Sequence, residues 1–164
     1  MRKDFAKKHN LRCLSDLASL SKTLRVAAPA EFLKRPDGFP TLKKAYGFSF
    51  REVIQVSPTL MYVTLKHQKA EIIASFTTDG RLKSHDLVGL EDDKNIYPSY
   101  QAAPVLSEKV HLKYPEVEKA LSPVLGIISN QKMIELNYKV EGMGQSPASV
   151  VREFLSQNNL LSEN

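Results

Sequence analysis

Aromatic rings bracket a double crossing in the middle of this sequence. Phe76 ends an apolar run at the Thr78-Asp79-Gly80 turn, and Tyr97-Pro98-Ser99-Tyr100 carries the chain on into Ala103 to Leu106. Between them lie a second strand-like run, Leu87 to Leu90, and an acidic turn at Glu91, Asp92 and Asp93. Rings at both ends of such a crossing are expected at a cleft rather than in one core. Arg35 is the cation with the most defined local setting. It precedes Pro36-Asp37-Gly38, and the residue before a proline is pushed away from the helical region, so Arg35 sits at a break. By residue type alone, Arg35 pairs with Asp37 or lies in water, Phe76 belongs to a core, and Tyr100 packs with its hydroxyl bonded to the backbone.

Reactive chemistry has little support. His9, His67, His85 and His111 are isolated and lack zinc-ligand spacing. Asp79, Asp86, Glu91, Asp92 and Asp93 flank turns without the alternating ligands and central glycine of a calcium loop, so they are read as solvated, with Asp79 bonding its own turn. Gly142-Met143-Gly144 follows no strand and lacks a third glycine, which makes it a loop between helices rather than a dinucleotide cradle. No serine or cysteine stands in a nucleophile motif. The sequence therefore predicts no enzyme, no cofactor and no metal.

The elements that must position these residues alternate at first. Leu14, Leu17, Ala18 and Leu20 predict a short helical stripe behind Ser15. Leu24 to Ala28 reads as a buried strand, Glu31 to Lys34 as a helical turn, and Thr41 to Tyr46 as a short basic helix closed by Gly47. Val53 to Val56 is a second strand. Ser57-Pro58 then caps a helix over 59 to 69, with Leu60, Val63, Thr64 and Leu65 near one face. Glu71 to Phe76 is a third strand. Strand, helix, strand, helix, strand argues for an α/β layer with mainly parallel pairing. After Leu106 the pattern becomes helical: Ser107, Pro115, Ser129 and Ser146-Pro147 each open a segment. Val117, Leu121, Val124 and Leu125 form one apolar stripe, and Val150, Val151, Phe154 and Leu155 form another.

Composition sets the outer bounds. The chain has 164 residues, 42% hydrophobic and 25% charged, enough for one domain or one lobe with an appendage. No run approaches the roughly 18 to 20 apolar residues of a membrane helix, and the basic start is not followed by an apolar region, so neither an anchor nor an export signal is predicted within it. The formal net charge of +5 invites a nucleic-acid reading. The positive residues are dispersed, however; only Arg2, Lys3, Lys7 and Lys8 form a dense run, expected to be a solvated tail. No nucleic acid is expected. Cys13 is the single cysteine, which excludes an internal disulfide.

Four pieces of this sequence resemble the substrate-binding proteins of glycine betaine, choline and carnitine ABC transporters. They are APAEFLKRPDGFPTLKKAYGFSF from Ala28, FTTDGR from Phe76, LEDDKNIYPSYQAAPV from Leu90 and ELNYKV from Glu135. The resemblance implies a type II periplasmic-binding-protein-like fold, in which two α/β lobes close on a ligand and the second lobe is inserted within the first. On that pattern residues 1 to 23 are a basic segment with a short helix, 24 to 100 are the second lobe with the crossing, and 101 to 164 are the helical part of the first lobe. The N-terminal part of the first lobe has no counterpart here.

The resemblance also implies the ligand residues. A quaternary ammonium group donates no hydrogen bond and is recognised by aromatic faces, each contributing about 0.5 to 2 kcal/mol. A carboxylate calls for a two-pronged arginine. The family pattern carries the arginine onto Arg35 and the rings onto Phe76 and Tyr100, with Asp37, Thr77, Asp79 and Tyr97 as supporting candidates. Many members have tyrosine where Phe76 stands, and Ser99 replaces a common proline. The implied role is an osmoprotectant-binding component that delivers glycine betaine, choline or carnitine to an ABC permease on the periplasmic or extracytoplasmic side of the membrane. The alternative is a truncated fragment of the same fold without transport, acting as an interaction or regulatory domain. Uncovered helices predict homodimers.

Overall fold

Residues 1–98, 100 and 102–161 are described by the computed structural model, Ser84 through its backbone alone. The chain divides into two compact units. Met1–Phe76 with His85–Pro98 form the first, and Thr77–Ser84 with Ser99–Asn164 form the second.

The first unit is built on a three-stranded parallel sheet with order β2-β1-β3, where β1 is Arg25–Ala28, β2 is Glu52–Gln55 and β3 is Ile72–Ile73. Val26 stands opposite Val53 on one side and Ile72 on the other. The central strand is buried at Val26, Ala27 and Ala28, as expected for a parallel strand covered on both faces. Connections run through α2 (Ala30–Lys34), α3 (Phe39–Tyr46) and α4 (Pro58–Lys66). Gly47 ends α3 at φ 67°, a left-handed conformation that glycine adopts without a Cβ penalty. At one end of the sheet, Arg25 donates to Glu71 with Nη2 to Oε1 at 2.6 Å, and its backbone N–H donates to Oε2 at 2.7 Å.

Several local expectations change. The basic N-terminus is not a solvated tail. Helix α1 (Lys3–Lys8) turns its lysines outward while Met1, Ala6 and Leu11 join Leu17, Leu24, Tyr46 and Phe48 in the core. The density of charge hid an amphipathic helix, because Ala6 and Leu11 are too sparse to read as a stripe. Residues 15–17 and 21–23 form 3₁₀ turns rather than the predicted helix. Residues 87–90 are not a strand; Leu87 makes one isolated antiparallel bridge with Arg2, and Val88 N–H donates to Met1 O at 3.0 Å. The inner face of α4 is Met61, Tyr62 and Leu65, with Leu60 and Val63 exposed. Both sets have helical spacing, so only the position of the sheet decides between them.

The second unit contains no strand among its described residues. Its helices are α5 (Arg81–Ser84), α6 (Glu108–Lys113), α7 (Glu116–Leu121), α8 (Asn130–Glu141) and α9 (Pro147–Gln157). Ser107, Ser129 and Ser146 cap α6, α8 and α9, each accepting a backbone N–H from the third residue on. Lys139 joins α8 to α9 through Glu153 at 2.7 Å. Val150 and Phe154 of α9 are buried, whereas Leu112, Leu125, Met143 and Val151 are more than half exposed.

Candidate functional site

Parallel pairing sends all three strands of the first unit out at one edge of the sheet. Pro29 and Ala30 follow β1, Ser57 and Pro58 follow β2, and Ser75 and Phe76 follow β3. In open parallel sheets the carboxyl ends of the strands are where ligands bind. An open depression of about 310 Å³ lies there, lined by Pro29, Ala30, Gln55 and Pro58 among others.

Two sequence-predicted residues stand at defined places in this unit. The Phe76 ring is 80% exposed, so it is not the core residue that its apolar strand would suggest. Immediately before it, Ser75 Oγ lies 2.6 Å from the hydroxyl of Tyr62, which is buried on α4. Tyr62 therefore fixes the exit of β3. Sequence reasoning passed over it; the signal was a hydroxyl-bearing ring at an apolar helix position. The other residue is Arg35, which ends α2. Its Nε donates to Asp37 Oδ1 at 2.9 Å and its Nη2 to Oδ2 at 2.5 Å, with both side chains about half exposed. The plain pairing with Asp37 is thus present. It holds the guanidinium in one orientation at the surface, and a guanidinium has five N–H donors for bidentate partners.

The turn carrying Arg35 is rigid for local reasons. Gly38 N–H donates to Arg35 O at 3.0 Å, and Thr41 Oγ1 donates to Pro36 O at 2.7 Å. A Cβ on Gly38 would lie 2.2 Å from the Phe32 carbonyl oxygen, so only glycine allows α2 and α3 to meet this closely.

Tyr97 is also in the first unit. Its N–H donates to Asp92 Oδ2 at 3.1 Å, and its hydroxyl lies 3.5 Å from Gly38 O, a long contact. Asp92 Oδ1 accepts from the hydroxyl of Tyr46. Burial and this carboxylate push the Tyr46 hydroxyl well above its ordinary pKa and keep it a donor. Asp93 accepts from Ser15 N–H at 3.1 Å, and hydrogen bonds from Ser15 hold its carboxyl below the usual range. The backbone of Glu91 bonds with Arg12 and Leu14. The reading of this acidic run as solvated holds for the exposed Glu91 and Asp93 and is corrected for Asp92, which is half-buried with both carboxylate oxygens bonded. Tight turns bring backbone donors to short side chains, which spacing alone does not reveal.

Thr77, Asp79 and Tyr100 fall in the second unit. Thr77 is exposed, and Tyr100 is 66% exposed. Asp79 has a nearly buried side chain, 8% exposed, and accepts from Arg81 N–H at 3.0 Å, Nε at 2.9 Å and Nη2 at 2.8 Å. Those bonds commit it to its own turn. The departure at Ser99 lies outside the described residues. Among the described residues no group of three histidine, cysteine, aspartate or glutamate side chains could hold a metal ion, and no helix is long and apolar enough to cross a membrane.

Comparison with known proteins gives the family. The family described as "Substrate binding domain of ABC-type glycine betaine transport system" matches residues 1–157. The chain is 32% identical over 160 residues to the carnitine transport binding protein of Listeria monocytogenes serotype 1/2a (strain 10403S), covering 97% of this chain and 52% of that protein. It is 37% identical over 158 residues to the ergothioneine transport permease/ergothioneine binding protein of Helicobacter pylori (strain G27), covering 96% of this chain and 29% of that protein. A crystal structure of a glycine betaine/carnitine/choline ABC transporter superposes with a TM-score of 0.80 at 36% identity, over 98% of this chain and 59% of its own. The α/β fold with its parallel sheet and flanking helices is thus that of ABC-transporter binding proteins. The chain spans about half the length of the Listeria relative. With residues 1–157 matched, the chain belongs to the family of substrate-binding domains of ABC-type glycine betaine transport systems.

Proposed function

We propose that this chain is part of the solute-binding component of an ABC importer for compact quaternary ammonium compounds. It binds and delivers its ligand without making or breaking a bond. The observation that carries this reading is the Phe76 ring, 80% exposed at the carboxyl edge of a parallel sheet. An aromatic face held in water costs hydrophobic free energy, and a desolvated cation recovers it through the ring quadrupole. Arg35, in the same unit, is the cation assigned to the ligand carboxylate, its guanidinium oriented by the bonds of Nε and Nη2 to Asp37. Tyr100 is a further ring for the cation, and Tyr97 is a supporting contact beside the Arg35 turn. Thr77 is a supporting polar contact, while Asp79 acts through its turn.

The named relatives support the ligand class. Glycine betaine, carnitine and ergothioneine each join a trimethylammonium group to a carboxylate, the two chemical features that Phe76 and Arg35 suit. The partner is an ABC permease, and the place of action is the extracytoplasmic face of the membrane.

Calorimetric titration of the folded chain with glycine betaine and choline tests the reading. Saturable binding is expected, with Arg35→Ala weakening betaine at least about tenfold, the loss of one charge-assisted hydrogen-bonded contact, while choline changes little. Phe76→Ala weakens both by about two- to thirtyfold, the range of one cation–π contact. A folded chain that binds neither compound overturns the reading.

A further inference from the structure

Asp92 uses both of its carboxylate oxygens. One accepts from the Tyr46 hydroxyl, and the other accepts from the Tyr97 backbone N–H at 3.1 Å. Tyr46 is a fixed point. It is the last residue of α3, 4% exposed, with its ring stacked on Phe48 at 5.4 Å between centroids. Its hydroxyl also accepts from Lys94 N–H at 3.0 Å. The Lys94 ammonium in turn donates to Ala45 O at 2.6 Å and lies 4.9 Å from the Tyr46 ring centroid. The loop between Asp92 and Tyr97 closes on itself through Asn95, whose N–H donates to Asp92 O at 3.0 Å and whose φ is 50°. Asparagine is one of the few non-glycine residues that adopts this left-handed conformation readily.

The segment thus grips α3 at its C-terminal end and reaches its other end, where the Tyr97 hydroxyl lies 3.5 Å from Gly38 O. Gly38 caps α3 and bonds back to the Arg35 carbonyl at 3.0 Å. One helix of eight residues, about 12 Å long at 1.5 Å per residue, is therefore the common frame for Tyr97 and for the Arg35 turn. A carboxylate suits position 92 for a countable reason. Its two oxygens accept from two donors on different elements, whereas an amide has one acceptor oxygen and keeps both contacts only if the Tyr46 hydroxyl turns from donor to acceptor.

We propose that Asp92, anchored by Tyr46, is a positioning residue for ligand binding that holds Tyr97 beside the Arg35-Pro36-Asp37-Gly38 turn. The proposal rests on the reading that Arg35 receives the ligand carboxylate. Asp92 touches no ligand itself. It acts by fixing where a ring and a guanidinium stand relative to each other, and small displacements of such groups weaken binding disproportionately.

The test uses the full chain and its Asp92→Asn, Tyr46→Phe and Arg35→Ala variants, titrated with glycine betaine and with choline, alongside amide hydrogen exchange read at Tyr97. Tyr46→Phe keeps the buried ring and deletes only the hydroxyl, so folding is preserved if Asp92→Asn proves unstable. Both bracket variants are expected to weaken betaine by about tenfold through displacement of Tyr97 and the Arg35 turn, to leave choline within about twofold, and to lose exchange protection at Tyr97. A merely structural role moves both ligands equally, and that result overturns the proposal. Unchanged betaine affinity in both bracket variants, with Arg35→Ala still impaired, overturns the proposal and spares the transport reading. Unchanged betaine affinity in Arg35→Ala instead overturns the carboxylate assignment on which the proposal rests. Should the chain bind neither compound, the transport reading and the ligand role fall together. Protected Tyr97 in Asp92→Asn then also removes the bracket, while its loss leaves the bracket standing as structure alone.

Discussion

At residue scale the turn carrying Arg35 depends on a glycine that carries no ligand chemistry. Gly38 lets α3 start against α2, since a Cβ there would come within 2.2 Å of the Phe32 carbonyl oxygen. Backbone oxygen cannot turn aside as a flexible side chain can, so Gly38→Ala is expected to cost about 1 to 3 kcal/mol, the range of an overpacked site. Urea unfolding reads this directly, and a loss below about 0.5 kcal/mol, the scatter of a neutral surface change, counts against it. The Pro36-Asp37-Gly38 turn was legible in the sequence because proline and glycine restrict the backbone locally. The roles of Asp92 and Tyr62 were not. A carboxylate in an acidic run looks solvated, and a tyrosine in an apolar helix looks like core, until partners 46 and 13 residues away in sequence are known.

At the scale of elements, the helix starts divide into two kinds. Ser107, Ser129 and Ser146 accept backbone hydrogen bonds from their own first turns, while Ser57 makes no side-chain cap bond. Ser146→Ala is therefore expected to destabilise the second unit by about 1 kcal/mol through loss of a cap on α9, whereas Ser57→Ala stays within about 0.5 kcal/mol. Thermal unfolding of both variants checks the contrast, and equal losses contradict it. Serine before a helical stripe predicted the starts at Ser107, Ser129 and Ser146 because capping is a local bond. Lengths were less legible. β3 is only Ile72–Ile73, although Glu71 and Ala74 N–H groups still donate to Arg25 O and Ala27 O of β1. The apolar run continues to Phe76, but the neighbouring strand ends at Ala28.

At the scale of the whole molecule, the sheet is closed at one end by charge. Burial alone raises the Glu71 pKa, but hydrogen bonds and the charge of Arg25 outweigh it and hold the carboxyl below its ordinary value. A depressed folded pKa contributes stability that is fully present above the unfolded value of about 4.3 and is lost as pH falls through the lower folded value. Stability is expected to fall across that acid window, and Glu71→Gln is expected to flatten the fall; an unchanged acid slope in this variant contradicts it. The alternation of strands and helices from β1 to β3, the parallel pairing and the family were determined by the sequence itself, because apolar periodicity, turn residues and long matched segments are properties of neighbours along the chain. Tertiary structure alone decided the rest. It placed Met1, Ala6 and Leu11 of a charged segment in the core, assigned Thr77–Ser84 to the unit of the C-terminal helices, and gave the acidic run its partners. Burial and hydrogen bonding depend on which distant segments meet, and no local pattern of residue types encodes that meeting.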